Sequence, residues 1–247
     1  MAFEDFFRKT AKIVKKGVRR GVASSHTRVL YYPGCLTEFK LEKVARNYKS
    51  MLNDAGIRFF VLPELVCCGS PLLSAGYAED FEEVKEKNIS ILKKNKVSKI
   101  VSNCPHCVKV FKEKYGLDAE HISKTLDEAG YEPGYEAGAF SYHDPCLLVN
   151  DGVINEPRNL LKKKGLTLNE PLLCKEKTFC CGAGNGLKQN SDSISGKVAV
   201  DRLKQLKSRN VVSSCPYCYL HLKEHAKDDP KTAEKQVFEM SEVLFDE

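Results

Sequence analysis

The chain contains no stretch of eighteen or more apolar residues, which excludes a membrane-spanning helix. It contains no Gly-x-Gly-x-x-Gly, so a Rossmann site for flavin or nicotinamide is excluded. It also lacks the Cys-x2-Cys-x2-Cys-x3-Cys run of bacterial ferredoxins. No signal-peptide pattern stands before the first strand, because the N-terminal segment is too charged. Net positive charge is scarce outside that segment. Residues 1–22 hold seven basic and two acidic side chains, which is +5 of the formal +6. The remainder is nearly neutral and offers no electrostatic footprint for nucleic acid.

Cysteine is abundant, at eleven among 247 residues. Without a signal-peptide pattern, the thiols are expected in a reducing compartment as ligands rather than as disulfides, and their odd number agrees. Ten of them fall into two copies of one pattern. The first copy is Cys35, then Cys67-Cys68-Gly69, then Cys104-Pro105-His106-Cys107; the second is Cys146, then Cys180-Cys181-Gly182, then Cys215-Pro216-Tyr217-Cys218. Equivalent cysteines are offset by 111, 113 and 111 residues, too long for a solenoid repeat and suited to a duplicated domain. The flanks also match: Tyr32-Pro33-Gly34 with His143-Asp144-Pro145, and Ile100-Val101-Ser102-Asn103 with Val211-Val212-Ser213-Ser214. The expected division is a basic arm over 1–27, one domain over 28–135 and a second over 136–247.

Both halves alternate strand and helix. Apolar runs predict strands over 28–32, 57–62 and 99–102, and again over 140–143, 166–168 and 211–213. Helical spacing runs over 41–55, 77–94, 156–164 and 196–208, with further helices opening at Pro105 and Pro216. The segments 119–123 and 236–241 are each expected to open a short helix. This pattern predicts an α/β fold of two tandem, pseudo-symmetric domains with mostly parallel sheets. Ligands gather at the carboxyl ends of strands in such sheets, and every cysteine motif lies there.

The chemistry follows from residue type and spacing. A Cys-x-x-Cys at a helix start places two thiols one turn apart, and Pro at the first helical position is pre-set for that start. The helix N-terminus favours thiolates and an anionic cluster. Adjacent cysteines converge on one site only through a sharp turn, which Gly69 and Gly182 can supply. Four thiolates suit tetrahedral zinc, but each copy offers a fifth that zinc does not need. Iron–sulfur sites in both halves are therefore expected, with zinc in one domain, or in both, as the alternative.

The pattern Cys-x31-Cys-Cys-Gly-x34-Cys-Pro-x-Cys, repeated with gaps of 33 and 32, resembles the cysteine-rich "CCG" domain. The B and D components of heterodisulfide reductase carry that domain, as does the cysteine-rich component of archaeal-type succinate dehydrogenase. The likeness covers nearly everything beyond the arm. It implies one noncubane [4Fe-4S] cluster on Cys35, Cys67, Cys68, Cys104 and Cys107, and another on Cys146, Cys180, Cys181, Cys215 and Cys218. It further implies that both clusters face one cleft in which a disulfide is cleaved by one-electron steps. Electrons must then come from partners, namely ferredoxin-like iron–sulfur and/or flavoprotein subunits.

Two readings of function compete. One is an oxidoreductase subunit of the heterodisulfide-reductase type, acting only within a complex. The other is an electron-transfer and membrane-anchoring subunit of a succinate dehydrogenase-like complex that passes electrons to a quinone. In residues 1–22 the apolar side chains Phe3, Phe6, Phe7, Val14, Val18 and Val22 share one helical face, so this arm is expected to dock on a partner subunit or the protein's own core, or on an anionic membrane. The expected location is cytoplasmic, peripheral on the inner face of the membrane if the arm binds it. A third reading, a scaffold whose metals only hold the fold, rests on the coupling of metal binding to folding. Cys174 is expected to be a small buried hydrophobe. His106 and His143, with Asp144 beside the latter, are expected to make structural hydrogen bonds, donation to a cluster sulfur or product thiolate being the alternative. Tyr31 and Tyr32 are expected to pack, and the lysines near Lys93 and Lys162 to line solvated helix faces.

Overall fold

The computed structural model describes residues 28–65 and 67–245, so the expectations for the basic arm lie outside the described residues. Short β-branched and aromatic segments form two four-stranded sheets, all of whose pairings are parallel. The first sheet contains β1 (Val29–Tyr31), β2 (Phe59–Phe60), β3 (Lys99–Ser102) and β4 (Ala119–His121) in the order β2-β1-β3-β4. The second contains β5 (Gly138–His143), β6 (Leu166–Leu168), β7 (Asn210–Ser213) and β8 (Gln236–Glu239) in the equivalent order β6-β5-β7-β8. Registers correspond as well: Tyr31 sits beside Val101 and Tyr142 beside Val212.

This strand order fixes where a ligand can lie. From β1 the chain crosses to β2 on one side and then to β3 on the other, so a crevice opens between the carboxyl ends of β1 and β3. Cys35 follows β1 as the first residue of helix α1 (Cys35–Lys40), and Cys104 follows β3. In the second sheet Cys146 and Cys215 take the same places after β5 and β7. Each cysteine set thus lies at a topological switch point.

Parallel sheets bury both faces, and here the two faces are covered differently. The outer faces have separate cores, one around Leu30, Ile100 and Phe111 and the other around Val211, Leu203 and Leu222. The inner faces share a single core, in which Tyr31, Tyr48, Met51 and Ile122 meet Phe140, Tyr142, Leu160 and Met240. Helix α2 (Glu42–Asp54) packs on the C-terminal helix Met240–Leu244, and helix Ile122–Glu128 packs on helix Glu156–Lys163, so each half completes the other. Tyr48 donates to Glu239 at 2.7 Å across this seam.

Three expectations need correction. The segments 119–123 and 236–241 each begin with a strand, β4 or β8, before the helix; three or four residues with charged members are too short to show an alternation. The strand expected over 57–62 reduces to Phe59–Phe60, because it is an edge with one neighbour. Lys164, in a lysine run expected to be solvated, is fully buried and lies 4.0 Å from the carboxylate of Glu136. Tyr31 and Tyr32 are buried, the latter packed edge-on against Phe111.

Candidate metal centre

Each Cys-x-x-Cys opens a helix directly after a central strand. Cys104 and Cys215 are extended N-cap residues, Pro105 and Pro216 take the first helical turn, and Cys107 and Cys218 follow on helices Pro105–Glu113 and Pro216–His225. The Cys-Cys-Gly loops bring the second pair of thiols over these helix starts. Cys68 Sγ reaches Cys107 Sγ at 3.4 Å, and Cys181 Sγ reaches Cys218 Sγ at 3.2 Å. Gly69 and Gly182 have φ of 84° and 87°, the left-handed values that the turn requires. Their N–H groups donate to Cys67 and Cys180 Sγ, both at 3.3 Å. Cys35 and Cys146 close the sets through hydrogen bonds to Cys67 and Cys180. All ten are free thiols.

These contacts polarise the thiols. The hydrogen bonds from Cys35 and Cys68, helped by the Gly69 amide and opposed by burial, hold Cys67 down at about 3. Cys146 and Cys181, with the Gly182 amide, hold Cys180 at about 2. Hydrogen bonding to Cys107 lowers Cys104 to about 6. The donors Cys35 and Cys146 are pushed up, first by the hydrogen bond they give and then by burial. Each five-thiol set thus combines thiols held low (Cys67 and Cys104, or Cys180 and Cys215) with partner thiols pushed up by the contacts they make and by burial, a soft donor set suited to iron–sulfur chemistry.

The surroundings of the two sets differ. Beside the first lies Tyr32; beside the second, at the matching position, lies His143. Arg202 Nε donates to His143 Nδ1 at 3.0 Å, which places the imidazole proton on Nε2. That Nε2 is buried with no other partner, and a nitrogen of the ring lies within 4.8 Å of the thiols of Cys181 and Cys218. Burial, reinforced by Arg202, lowers His143 to about 3, so it is neutral. It can donate one N–H toward the second set. Asp144 next to it pairs bidentately with Arg158 at 2.7 and 2.8 Å and accepts from the Lys175 amide at 2.9 Å, pinning the turn that leads to Cys146. Arg158 also holds Glu170 at 2.7 Å and lies 4.8 Å from the centre of the Tyr142 ring. Nothing in the sequence marks Arg158 or Arg202, since an arginine within a charged helix reads as a surface residue. Cys174 is only half-buried; it occupies the N-cap position of the 3-10 turn Lys175–Lys177, without a side-chain capping bond, in a surface loop rather than in the core.

The two sets meet at the third residue of each Cys-x-x-Cys. His106 and Tyr217, equivalent by the repeat, pack with ring centroids 4.9 Å apart. Burial acts to lower the His106 pKa, but hydrogen bonds with Cys104 and Cys215 override it and raise it to about 10. One imidazole therefore lies beside a thiol of each set, with its Nδ1 buried and without a hydrogen-bond partner. Above these rings a cleft of about 270 Å³ runs between Ser70, Ser74 and Tyr77 on one side and Gly184, Asn185 and Gln189 on the other. The second set is the more open of the two, since Cys180 is exposed whereas its counterpart Cys67 is buried.

The cysteine-rich domain profile, CCG, matches the chain twice, over residues 29–112 and 140–223. An uncharacterized iron-sulfur protein of Methanocaldococcus jannaschii is 29% identical over 83% of this chain and 42% of its own length. EtfAB:quinone oxidoreductase of Syntrophomonas wolfei is 30% identical over 87% of this chain and 34% of its own. The D component of the dihydromethanophenazine:CoB–CoM heterodisulfide reductase of Methanosarcina acetivorans is 30% identical over 78% of this chain and 53% of its own. The chain thus spans about half or less of the length of these relatives.

Proposed function

This chain belongs to the cysteine-rich domain family, and on that premise we propose that it is an iron–sulfur subunit of an oxidoreductase that acts with partner subunits. Cys35, Cys67, Cys68, Cys104 and Cys107 hold one noncubane [4Fe-4S] cluster; Cys146, Cys180, Cys181, Cys215 and Cys218 hold the other. The substrate is a disulfide or related sulfur compound bound in the cleft over His106 and Tyr217. The observation that carries this reading is that one imidazole lining that cleft lies beside one thiol of each five-thiol set, Cys104 and Cys215. Reducing a disulfide to two thiols consumes two electrons and two protons; iron–sulfur clusters held by the two cysteine sets would supply one-electron chemistry there. His106 can donate a hydrogen bond to sulfur in the cleft, while Tyr217 and the segments that follow the two cysteine–glycine loops, Ser70 to Tyr77 and Ala183 to Asn190, shape the walls. Iron–sulfur naming of a relative supports iron at the thiolates, and zinc in one domain finds no support there.

A second reading, electron transfer toward a quinone, is favoured by the likeness to EtfAB:quinone oxidoreductase. No described helix is long and apolar enough to cross a membrane. The readings separate in one assay. Holoprotein with its co-purifying subunits is given reduced viologen dye and either an organic disulfide or a water-soluble quinone. The proposal expects disulfide-dependent dye oxidation that is abolished by Cys68→Ala and by Cys181→Ala. Quinone-dependent oxidation alone would establish the second reading.

A further inference from the structure

Helix Pro216–His225 continues beyond the cysteines with a His-x-x-Glu-His sequence that the thiolate sites do not use. We propose that His221, His225 and Glu224 bind a divalent first-row transition-metal ion of the zinc class, at a site separate from the two cysteine sets. This site stands independently of the iron–sulfur reading.

Hydrogen bonding fixes where the imidazole protons are. His221 Nε2 lies 3.2 Å from the carbonyl oxygen of Ser195, which can only accept, and 3.0 Å from the Ser195 hydroxyl, itself donating to the Gly182 carbonyl at 2.9 Å. The proton of His221 is therefore on Nε2, and its lone pair is on Nδ1. His225 Nδ1 lies 2.6 Å from the Asp228 carboxylate, so its proton is on Nδ1 and its lone pair is on Nε2. His221 Nδ1 and His225 Nε2 are both buried and have no hydrogen-bond partner. The two side chains are 2% and 8% exposed. Two imidazoles, each fixed through its N–H by an oxygen and each presenting a nitrogen without a hydrogen-bond partner, have the arrangement of metal-ligating histidines and their outer hydrogen bonds.

The third donor fits as well. A nitrogen of each ring and a carboxylate oxygen of Glu224 all lie within 4.8 Å of one another. Residues four apart on a helix face the same side, which brings the rings together at a centroid distance of 4.6 Å. Lys188 engages one Glu224 oxygen at 2.8 Å, and the other is uncommitted. Gly196 on the neighbouring helix leaves the room for this, because a Cβ there would lie 2.8 Å from His225 Cε1. Two imidazoles and a carboxylate suit zinc, with a fourth position on the exposed Glu224 side. Bound metal would clamp the helix that carries Cys218 one turn earlier.

The test uses anaerobically purified holoprotein equilibrated with zinc chloride in a weak chelating buffer. Metal content is read by mass spectrometry and the coordination by zinc-edge X-ray absorption. The expected result is one zinc per chain with nitrogen and oxygen scatterers at about 2.0–2.1 Å and unchanged iron content. Asp228→Asn, a change at a solvent-facing side chain, should weaken zinc binding about 10- to 100-fold, and His225→Gln should abolish it. Iron retained in both variants reports that the fold is intact; if His225→Gln loses iron, the Asp228→Asn result decides. Failure to take up zinc, sulfur scatterers at about 2.3 Å, or unaltered affinity in Asp228→Asn would overturn the proposal.

Discussion

Replacing His143 should change the electron affinity of the second cysteine set and leave that of the first alone. Arg202 fixes the His143 tautomer, so the only group the ring can offer that set is a neutral Nε2–H. Hydrogen bonds to charged acceptors are worth about 1.5–3 kcal/mol. If roughly half of that is gained only on reduction, when negative charge on sulfur increases, the differential is about 1 kcal/mol. For a one-electron couple tenfold is 59 mV, so this corresponds to about 40 mV. His143→Leu should accordingly lower the midpoint potential of one cluster signal by about 40 mV in an EPR-monitored titration, and the other signal should stay in place. His143→Gln keeps an acceptor for Arg202 and a donor for sulfur, and should restore most of the shift. Because burial and Arg202 hold His143 neutral down to about pH 3, the effect should not vary between pH 6 and 8. Equal shifts in His143→Leu and His143→Gln, or a shift of both signals, would refute the reasoning.

Other perturbations probe the scaffold. Gly182→Ala places a Cβ 2.9 Å from the Ser195 carbonyl at a φ of 87°, and should cost about 2–4 kcal/mol from left-handed strain plus overpacking, read as a lower thermal midpoint and reduced iron content. Asp144→Ala strips a carboxylate from buried Arg158 and should destabilise by about 3–5 kcal/mol in chemical denaturation; Glu170, which remains to pair with the arginine, keeps the effect toward the lower end. Burial raises the Glu239 carboxyl from 4.5 to about 7. The folded state therefore binds the extra proton between those values, and stability should fall as pH rises from about 4.5 to 7, by about 3 kcal/mol in all, then level off. Glu239→Gln should flatten that slope in denaturation curves taken across the range.

Some of this molecule can be read from its sequence, and the reason is chemical. Cysteines announce a site by type and spacing alone, and the 111-residue offset carries the duplication. Helix starts at Pro105 and Pro216 are visible because proline occupies a fixed place in the first turn. Residues whose role comes from the partner half are not visible. Tyr48 and Glu239 find one another only across the shared inner core. Arg158, Arg202 and Lys164 have surface-type side chains, and only tertiary contacts make them buried. The meeting of His106 and Tyr217 could have been inferred from the repeat, since equivalent residues near a pseudo-twofold axis approach each other. The strand order that places each cysteine set at a switch point has no local signature at all.

The central claim, two equivalent iron–sulfur centres on ten thiols, is tested most directly by iron and acid-labile sulfide analysis of the anaerobically purified holoprotein, combined with Mössbauer spectroscopy. The account predicts two four-iron centres per chain, with one lost in Cys68→Ala and the other in Cys181→Ala. A single centre that survives either substitution, or sulfur-bound zinc in place of iron, would contradict it.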